Sequence, residues 1–324
     1  LAGHTVNPIG LGCMNLSHAY GTPPDETSAI QLLQRAVELG CNHFDTATLY
    51  GFGANETLVG KALKPYRKQI FLASKCGMGG VNGQRVIDGR PATLKQQCEA
   101  SLQRLQTDVI DLYYLHRWDK NIPIEESVGA LADLVQQGKI RAIGLSEVSA
   151  ATLEKAHAVH PIAAVQTEYS LWTRNPEIAV LTKTRELGAA FVAFSPLGRG
   201  FLGGSLHDVA DLVEKDIRRP MPRFSAENYP KNLQLLTALQ QLADQAGCTL
   251  AQLSLAWLLA QQDNILPIPG TVQISHLAEN LAAAELNLDA DLLQQAGQLI
   301  HAQNVHGARY PAATQAEIDT EEFA

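Results

Sequence analysis

A short apolar run, a loop and an amphipathic helical stretch follow one another again and again along this chain. The apolar runs fall at residues 9–13, 43–45, 70–74, 109–115, 142–145, 163–166, 191–194 and 265–268. They are rich in Val, Ile, Phe and Leu and do not alternate with polar residues. That pattern suits parallel strands buried on both faces. Helical spacing is read at 28–39, 93–105, 125–137, 151–157, 177–187, 232–246, 250–261 and 275–284. Gly40 and Gly138 stand where helix C-caps belong, and Pro91 and Pro123 stand just before helix starts. Eight such strands, each trailed by a helix, predict an α/β chain of the (β/α)8 TIM-barrel class. An open doubly wound sheet is the alternative, but it normally splits the chain, and no break in composition offers a place to split.

With 324 residues the chain has the length of one such barrel plus insertions. We expect one domain over 1–324, with residues from about 301 onward forming a polar tail over one end of the barrel or moving freely. A long loop at 198–230, followed by extra helices after the seventh strand, is the main insertion, and loops of that length are usually functional. The net charge of −8 argues against nucleic acid and anionic membrane surfaces as partners. No apolar run reaches the roughly 20 residues that span a bilayer, and no secretory leader is visible. Five cysteines, with no Cys-x-x-Cys pair, fit reduced thiols in the cytoplasm. No histidine has metal-ligand spacing, so no metal is expected.

In a barrel of this kind the chemistry sits at the C-terminal ends of the strands. There the sequence places Asp45, Lys75, His116, Ser146 with Glu147, Gln166, Ser195 with Pro196, and Pro269-Gly270-Thr271. Tyr50 follows Asp45 on the next loop. A free tyrosine has a pKa of about 10. A lysine beside it would lower that value and a carboxylate would hold the lysine charged, making Tyr50 a general acid–base. His116 would orient a substrate oxygen.

These residues resemble the catalytic tetrad of the aldo-keto reductases: Asp45, Tyr50, Lys75 and His116. The likeness extends over nearly the whole chain. Its carriers are Ile9-Gly10-Leu11-Gly12-Cys13-Met14, Phe44-Asp45-Thr46-Ala47 with Tyr50-Gly51 and Asn55-Glu56, and the run from Gly138 to Ser146. Ser195-Pro196-Leu197-Gly198-Arg199-Gly200 and Ile268-Pro269-Gly270-Thr271 are similar to the family's cofactor loops. The branch most resembled contains bacterial aldehyde, pyridoxal and aryl-alcohol reductases.

The resemblance implies that a reduced nicotinamide reduces an aldehyde or ketone, with Tyr50 giving the proton. It implies that Ser146 and Gln166 hold the nicotinamide carboxamide and that Glu279 and Asn280 meet the adenine. Ser195 stands where many members have a tyrosine that stacks on the nicotinamide. Family members mostly use NADPH and read its extra phosphate with Lys or Arg; here Gln273 and His276 occupy those places. NADP(H) is favoured, with Thr271, Gln273 and Ser275 as hydrogen-bonding partners, and NAD(H) stays open.

Gly198-Arg199-Gly200-Phe201-Leu202-Gly203 fits G-x-G-x-x-G, but it lies too late in the chain for a Rossmann site. In a barrel it falls in the loop after the seventh strand, where phosphate sites recur. Arg199 would supply charge there, with Arg218, Arg219 and Arg223 helping to bind phosphate or close a lid. Met14, Tyr20 and Trp118 are expected to line the substrate pocket. Two rival readings are a Schiff-base aldolase using Lys75 and a cofactor-binding regulatory subunit without turnover. The sequence carries no signal for oligomeric state.

Overall fold

The computed structural model describes residues 1–323. Its strands are β1 (Leu11–Gly12), β2 (His43–Asp45), β3 (Phe71–Cys76), β4 (Met78–Val81), β5 (Gln84–Ile87), β6 (Ile110–Leu115), β7 (Ile140–Ser146), β8 (Ile162–Glu168), β9 (Ala190–Phe194) and β10 (Ile265–Pro267). Its helices are α1 (Glu26–Glu38), α2 (Ala54–Leu63), α3 (Pro91–Leu105), α4 (Ile124–Gln136), α5 (Ala150–Val159), α6 (Val180–Glu186), α7 (Tyr229–Ala246), α8 (Leu250–Leu259), α9 (Ile274–Ala282), α10 (Ala290–Leu299) and α11 (Ala312–Gln315).

Eight strands pair in parallel in the order β1-β2-β3-β6-β7-β8-β9-β10. The ring is closed by backbone hydrogen bonds from Gly10 N–H to the Pro267 carbonyl (3.0 Å) and from Gly12 N–H to the Pro269 carbonyl (3.2 Å). Closure depends on a bare backbone: a Cβ on Gly12 would sit 2.9 Å from the Ile268 carbonyl oxygen. The predicted (β/α)8 architecture is therefore present, with all eight barrel strands near their expected places.

Two packed layers hold it. Between sheet and helices lies a large shell that includes Leu32, Phe44, Leu94, Leu131, Leu153 and Phe191. Inside the barrel a smaller cluster of Phe71, Leu112, Tyr114, Val192 and Ile268 fills the centre, and Leu1, Ala2 and Val6 close the bottom. Local signals start the helices. Asp25 caps α1 by accepting from Ser28 N–H (3.0 Å), and Thr249 with Gln252 forms a capping box on α8.

Several elements differ from the sequence expectation. Helix α7 begins at Tyr229, with Pro230 in its first turn, and α6 begins only at Val180 because residues 175–177 form a 3-10 turn. Helices α2 and α10 were not anticipated. Nor was the antiparallel hairpin β4–β5, which rises beside the mouth. Its turn is Asn82-Gly83, both at positive φ (53° and 75°), the pair that two-residue hairpin loops favour.

The tail lies across the mouth. Asp319 accepts from Ser149 Oγ (2.9 Å) and Thr152 Oγ1 (2.7 Å) at the start of α5. Lys120 Nζ donates to the carbonyls of Ala316 (2.9 Å) and Ile318 (2.8 Å), and Arg309 is ion-paired with Glu147 in the interior.

Candidate active site

The C-terminal ends of the strands open into a cavity of about 620 Å³, a size usual for small-molecule and cofactor sites. Its floor is polar. Asp45 ends β2 and Lys75 lies in β3, whose neighbouring register brings the two side chains together. Lys75 is wholly buried, and its ammonium donates to Asp45, to the Thr46 carbonyl (3.0 Å) and to the Tyr50 hydroxyl (3.3 Å). The other Asp45 oxygen accepts from Gln166 Nε2 (2.8 Å). The segment between Asp45 and Tyr50 is pinned to β3 by Thr46 N–H to the Ala73 carbonyl (3.0 Å) and Thr48 N–H to the Lys75 carbonyl (3.1 Å). After Tyr50 the chain turns sharply through Gly51, Phe52 and Gly53, all at positive φ. His116 follows β6 and stands edge-on to Tyr50, with ring centroids 5.8 Å apart at 85°.

Charge states follow from these surroundings. Burial works against the Lys75 ammonium, but Asp45 and Tyr50 outweigh it and hold the group above its ordinary value. A lysine so fixed in its charged form is a poor Schiff-base nucleophile. Burial pushes the Tyr50 hydroxyl up, although Lys75 pulls the other way. The expected net lowering of Tyr50 is thus reversed: desolvation of the phenolate exceeds the attraction of an ammonium already neutralised by Asp45. His116 is held well below its ordinary value, first by burial and then by the positive charges of Arg117 and Lys75. At neutral pH the site holds a protonated phenol, a charged lysine and a neutral imidazole. His116 Nδ1 has no hydrogen-bond partner among the described residues.

Most of the residues singled out in the sequence converge here. Asp45, Tyr50, His116, Ser146 and Gln166 line the cavity, and Lys75 sits directly behind Tyr50. Ser195, Pro196, Leu197, Arg199 and Gly200 form one side, while Gly270, Thr271, Glu279 and Asn280 form the far end. Met14 and Tyr20 contribute from the first loop.

Three predicted site residues lie elsewhere. Trp118 packs on the outer core and donates Nε1 to the Ile122 carbonyl (2.9 Å), so it does not line the cavity. Gly198 is buried against the Trp172 ring, one step behind the wall. Gln273 is exposed at the start of α9, where its N–H donates to Thr271 Oγ1 (3.1 Å).

The loop arginines are also differently employed. Arg199 is paired with Glu168 (2.6 Å) and Arg218 with Asp216 (2.7 Å). Arg219 donates to the Leu212 and Val213 carbonyls, and Arg223 to the Trp172 carbonyl (2.6 Å). They brace the long loop; none is a loose cation waiting for phosphate.

Sequence reasoning missed Arg117, Arg85, Met78 and Tyr310, all on the cavity wall. Arg117 adjoins His116 and was passed over as its neighbour. The Asn82-Gly83 turn was a legible signal for the hairpin that carries Met78 and Arg85. Tyr310 had none, since it reaches the cavity only through the fold of the tail.

A ligand in this cavity would touch both the Tyr50–His116 pair and the loops after β9 and β10, which are continuous along the wall. Gly200 and Gly270 line the cavity, and α9 starts with no side chain capping its first N–H groups. The model of the Aldo/keto reductase family matches residues 8–300. The aldo-keto reductase yakc [NADP(+)] of Schizosaccharomyces pombe is 44% identical over 321 residues, covering 97% of this chain and 94% of that protein. A glycerol dehydrogenase from Gluconobacter oxydans superposes with a TM-score of 0.85 at 28% identity, covering 96% of both chains. An aldo-keto reductase from Klebsiella pneumoniae solved with NADPH gives 0.71 at 27% identity, covering 94% of this chain and 95% of that one.

Proposed function

Since the chain belongs to the aldo/keto reductase family, we propose here how its own residues divide the work of that family's reaction. The protein is an NADP(H)-dependent oxidoreductase that reduces an aldehyde or ketone to an alcohol. The bound nicotinamide supplies a hydride to the carbonyl carbon. Everything else falls to the side chains described above.

The observation that carries the residue roles is the single chain of contacts Gln166–Asp45–Lys75–Tyr50. Tyr50 presents a protonated hydroxyl to the cavity and gives its proton to the carbonyl oxygen. Lys75, 3.3 Å behind, stabilises the phenolate left by that transfer. Asp45 keeps Lys75 charged, and Gln166 keeps Asp45 in place. His116, neutral and on the cavity wall edge-on to Tyr50, fixes the oxygen that receives the proton. Ser146 and Gln166 lie where the carboxamide of the nicotinamide would bind. The glycine turn at Gly200 and the start of α9 would take the phosphates, and Glu279 with Asn280 the adenine, a reading supported by their common place on the cavity lining.

The regulatory-subunit reading would leave this proton-donating chain without purpose. We further propose that barrel and tail act as one domain, because Arg309, Tyr310 and Asp319 reach the mouth. We place the protein in the cytoplasm on the strength of five free thiols, four of them buried in the core. No helix among the described residues is long and apolar enough to cross a membrane.

The experiment is NADPH consumption with benzaldehyde as probe, wild type against Tyr50→Phe, beside fluorescence titration with NADPH and NADH. Loss of turnover with retained NADPH binding supports the assignment. Equal turnover in the variant refutes it, and tighter binding of NADH would reverse the cofactor order.

A further inference from the structure

Four arginines line the cavity: Arg85, Arg117, Arg199 and Arg218. Three of them are neutralised. Arg85 pairs with Glu317 at 2.6 Å, Arg199 with Glu168 at 2.6 Å and Arg218 with Asp216 at 2.7 Å. Arg117 is different. It is only 8% exposed, yet among the described residues no carboxylate is in salt-bridge range of it. Its Nη1 donates to the His116 carbonyl (2.7 Å) and to Ser146 Oγ (3.3 Å), both uncharged. Its Nε has no partner.

A guanidinium does not shed its proton in a protein. Buried without a counter-charge it is costly, and chains normally avoid that arrangement. Nε is sealed from the cavity, so with Nη1 engaged it is Nη2 that is left to offer a charge-assisted hydrogen bond to a carboxylate oxygen. Arg117 lines the cavity and is held by the His116 carbonyl and Ser146 Oγ, so its free donor belongs to the reacting end of the cavity. The phosphate-binding features, by contrast, are gathered on the loops after β9 and β10. Leu49, Met78 and Phe194 add apolar side chains to the lining of the same cavity.

We propose that Arg117 is the receptor for a carboxylate carried by the substrate, so that the protein selects carbonyl compounds that are also carboxylic acids. The inference rests on the reading of Tyr50 and His116 as a carbonyl-reducing site, and it names the class of carbonyl compound. Arg117 then does two things with one charge. It holds the substrate's acid group and, before substrate arrives, its charge adds to the burial that keeps His116 neutral. The carboxylate neutralises Arg117 only when the substrate is in place.

The test compares 4-carboxybenzaldehyde with benzaldehyde, and succinic semialdehyde with butanal, using the NADPH-loaded enzyme. We expect the acid of each pair to have a kcat/KM about ten- to hundredfold higher, the range of one charge-assisted hydrogen bond. Arg117→Gln should bring both ratios close to one, while Arg117→Lys should keep part of the preference. No preference in the wild type overturns the proposal, and that result needs no variant to fold. A preference that survives Arg117→Gln also overturns it, and weaker NADPH binding in that variant assigns Arg117 to the cofactor instead. Calorimetric binding of the same four aldehydes to the NADP(+) complex separates the two readings. Arg117-dependent binding of the acids without any turnover would sustain the receptor and refute the reductase site. Turnover of all four without preference would do the reverse.

Discussion

On the floor of the cavity Lys75 has Asp45, Thr46 and Tyr50 as partners and Asp45 has Gln166, whereas on the wall Arg117 has only two neutral acceptors. The floor is made by strand ends, where register fixes which side chains meet. The wall is made by the loop after β6, the β4–β5 hairpin and the tail. A floor with its charges matched needs no ligand to complete it, and it can stabilise the same transition state for any carbonyl. A wall with one unmatched charge is complete only with the right substrate. The difference separates what makes the reaction go from what chooses the molecule that undergoes it.

The strongest way to break this contrast is to remove the floor's proton donor. Tyr50→Phe keeps the ring against His116 and deletes only the hydroxyl that Lys75 faces at 3.3 Å. Turnover should fall about 10²- to 10⁴-fold, with NADPH binding intact by fluorescence titration. Should kcat survive, the floor does not supply the proton.

Next comes a charge that joins wall to floor. Arg309, on the tail, is ion-paired with Glu147 and flanks Glu168, which ends β8; both carboxylates are buried. Burial works against the Glu168 carboxylate, but Arg199 and Arg309 hold it below its ordinary value. Arg309→Met should therefore leave a buried anion exposed to its own desolvation cost and destabilise the fold by about 3–5 kcal/mol. Urea unfolding measures it. A change near zero would mean that the tail rests on the barrel without being anchored by charge.

A third region sharpens the comparison from below. Two residues before Asp45, His43 is wholly buried in the barrel, and neither ring nitrogen has a partner among the described residues. Burial pushes its pKa down to about 4, from an ordinary value of 6.5. The folded imidazole resists a proton that the unfolded chain accepts. Stability is therefore whole above about pH 6.5, falls as pH drops toward 4, and levels off below that. The full contribution is about 3 kcal/mol. Unfolding curves at pH 7, 5 and 4 should show this loss in wild type and a smaller one in His43→Leu. Identical pH dependence in the two proteins would remove His43 from the account.

How far each region could be read from the sequence follows the same division. The barrel was legible because buried parallel strands leave apolar runs without alternation, and once the barrel is assumed its geometry assigns Asp45, Lys75 and His116 to one place. Tyr50 came with them because only a short loop separates it from Asp45. Its charge state did not, since desolvation depends on how much protein surrounds the phenol. Trp118 was misassigned because adjacency to His116 does not tell which way a loop side chain turns. Arg117, one residue nearer, turned inward. Tyr310 and Arg85 depend on pairings across most of the chain, and no local pattern encodes those.

The smallest expected effect probes such a long-range pairing. Arg85 on β5 meets Glu317 of the tail across 232 residues of sequence, closing the rim where hairpin and tail face each other. Both side chains are partly exposed, at 38% and 27%, so solvent screens the attraction. Arg85→Ala should change stability by no more than about 1 kcal/mol. If its role is to hold the rim in place, its effect belongs in KM for bulky aldehydes, with kcat for small ones unmoved. Raised salt should copy the mutation in the wild type and do nothing further in the variant. A drop in kcat for every aldehyde would instead make Arg85 part of the floor's chemistry, and the line between the two regions would have to be redrawn through the hairpin.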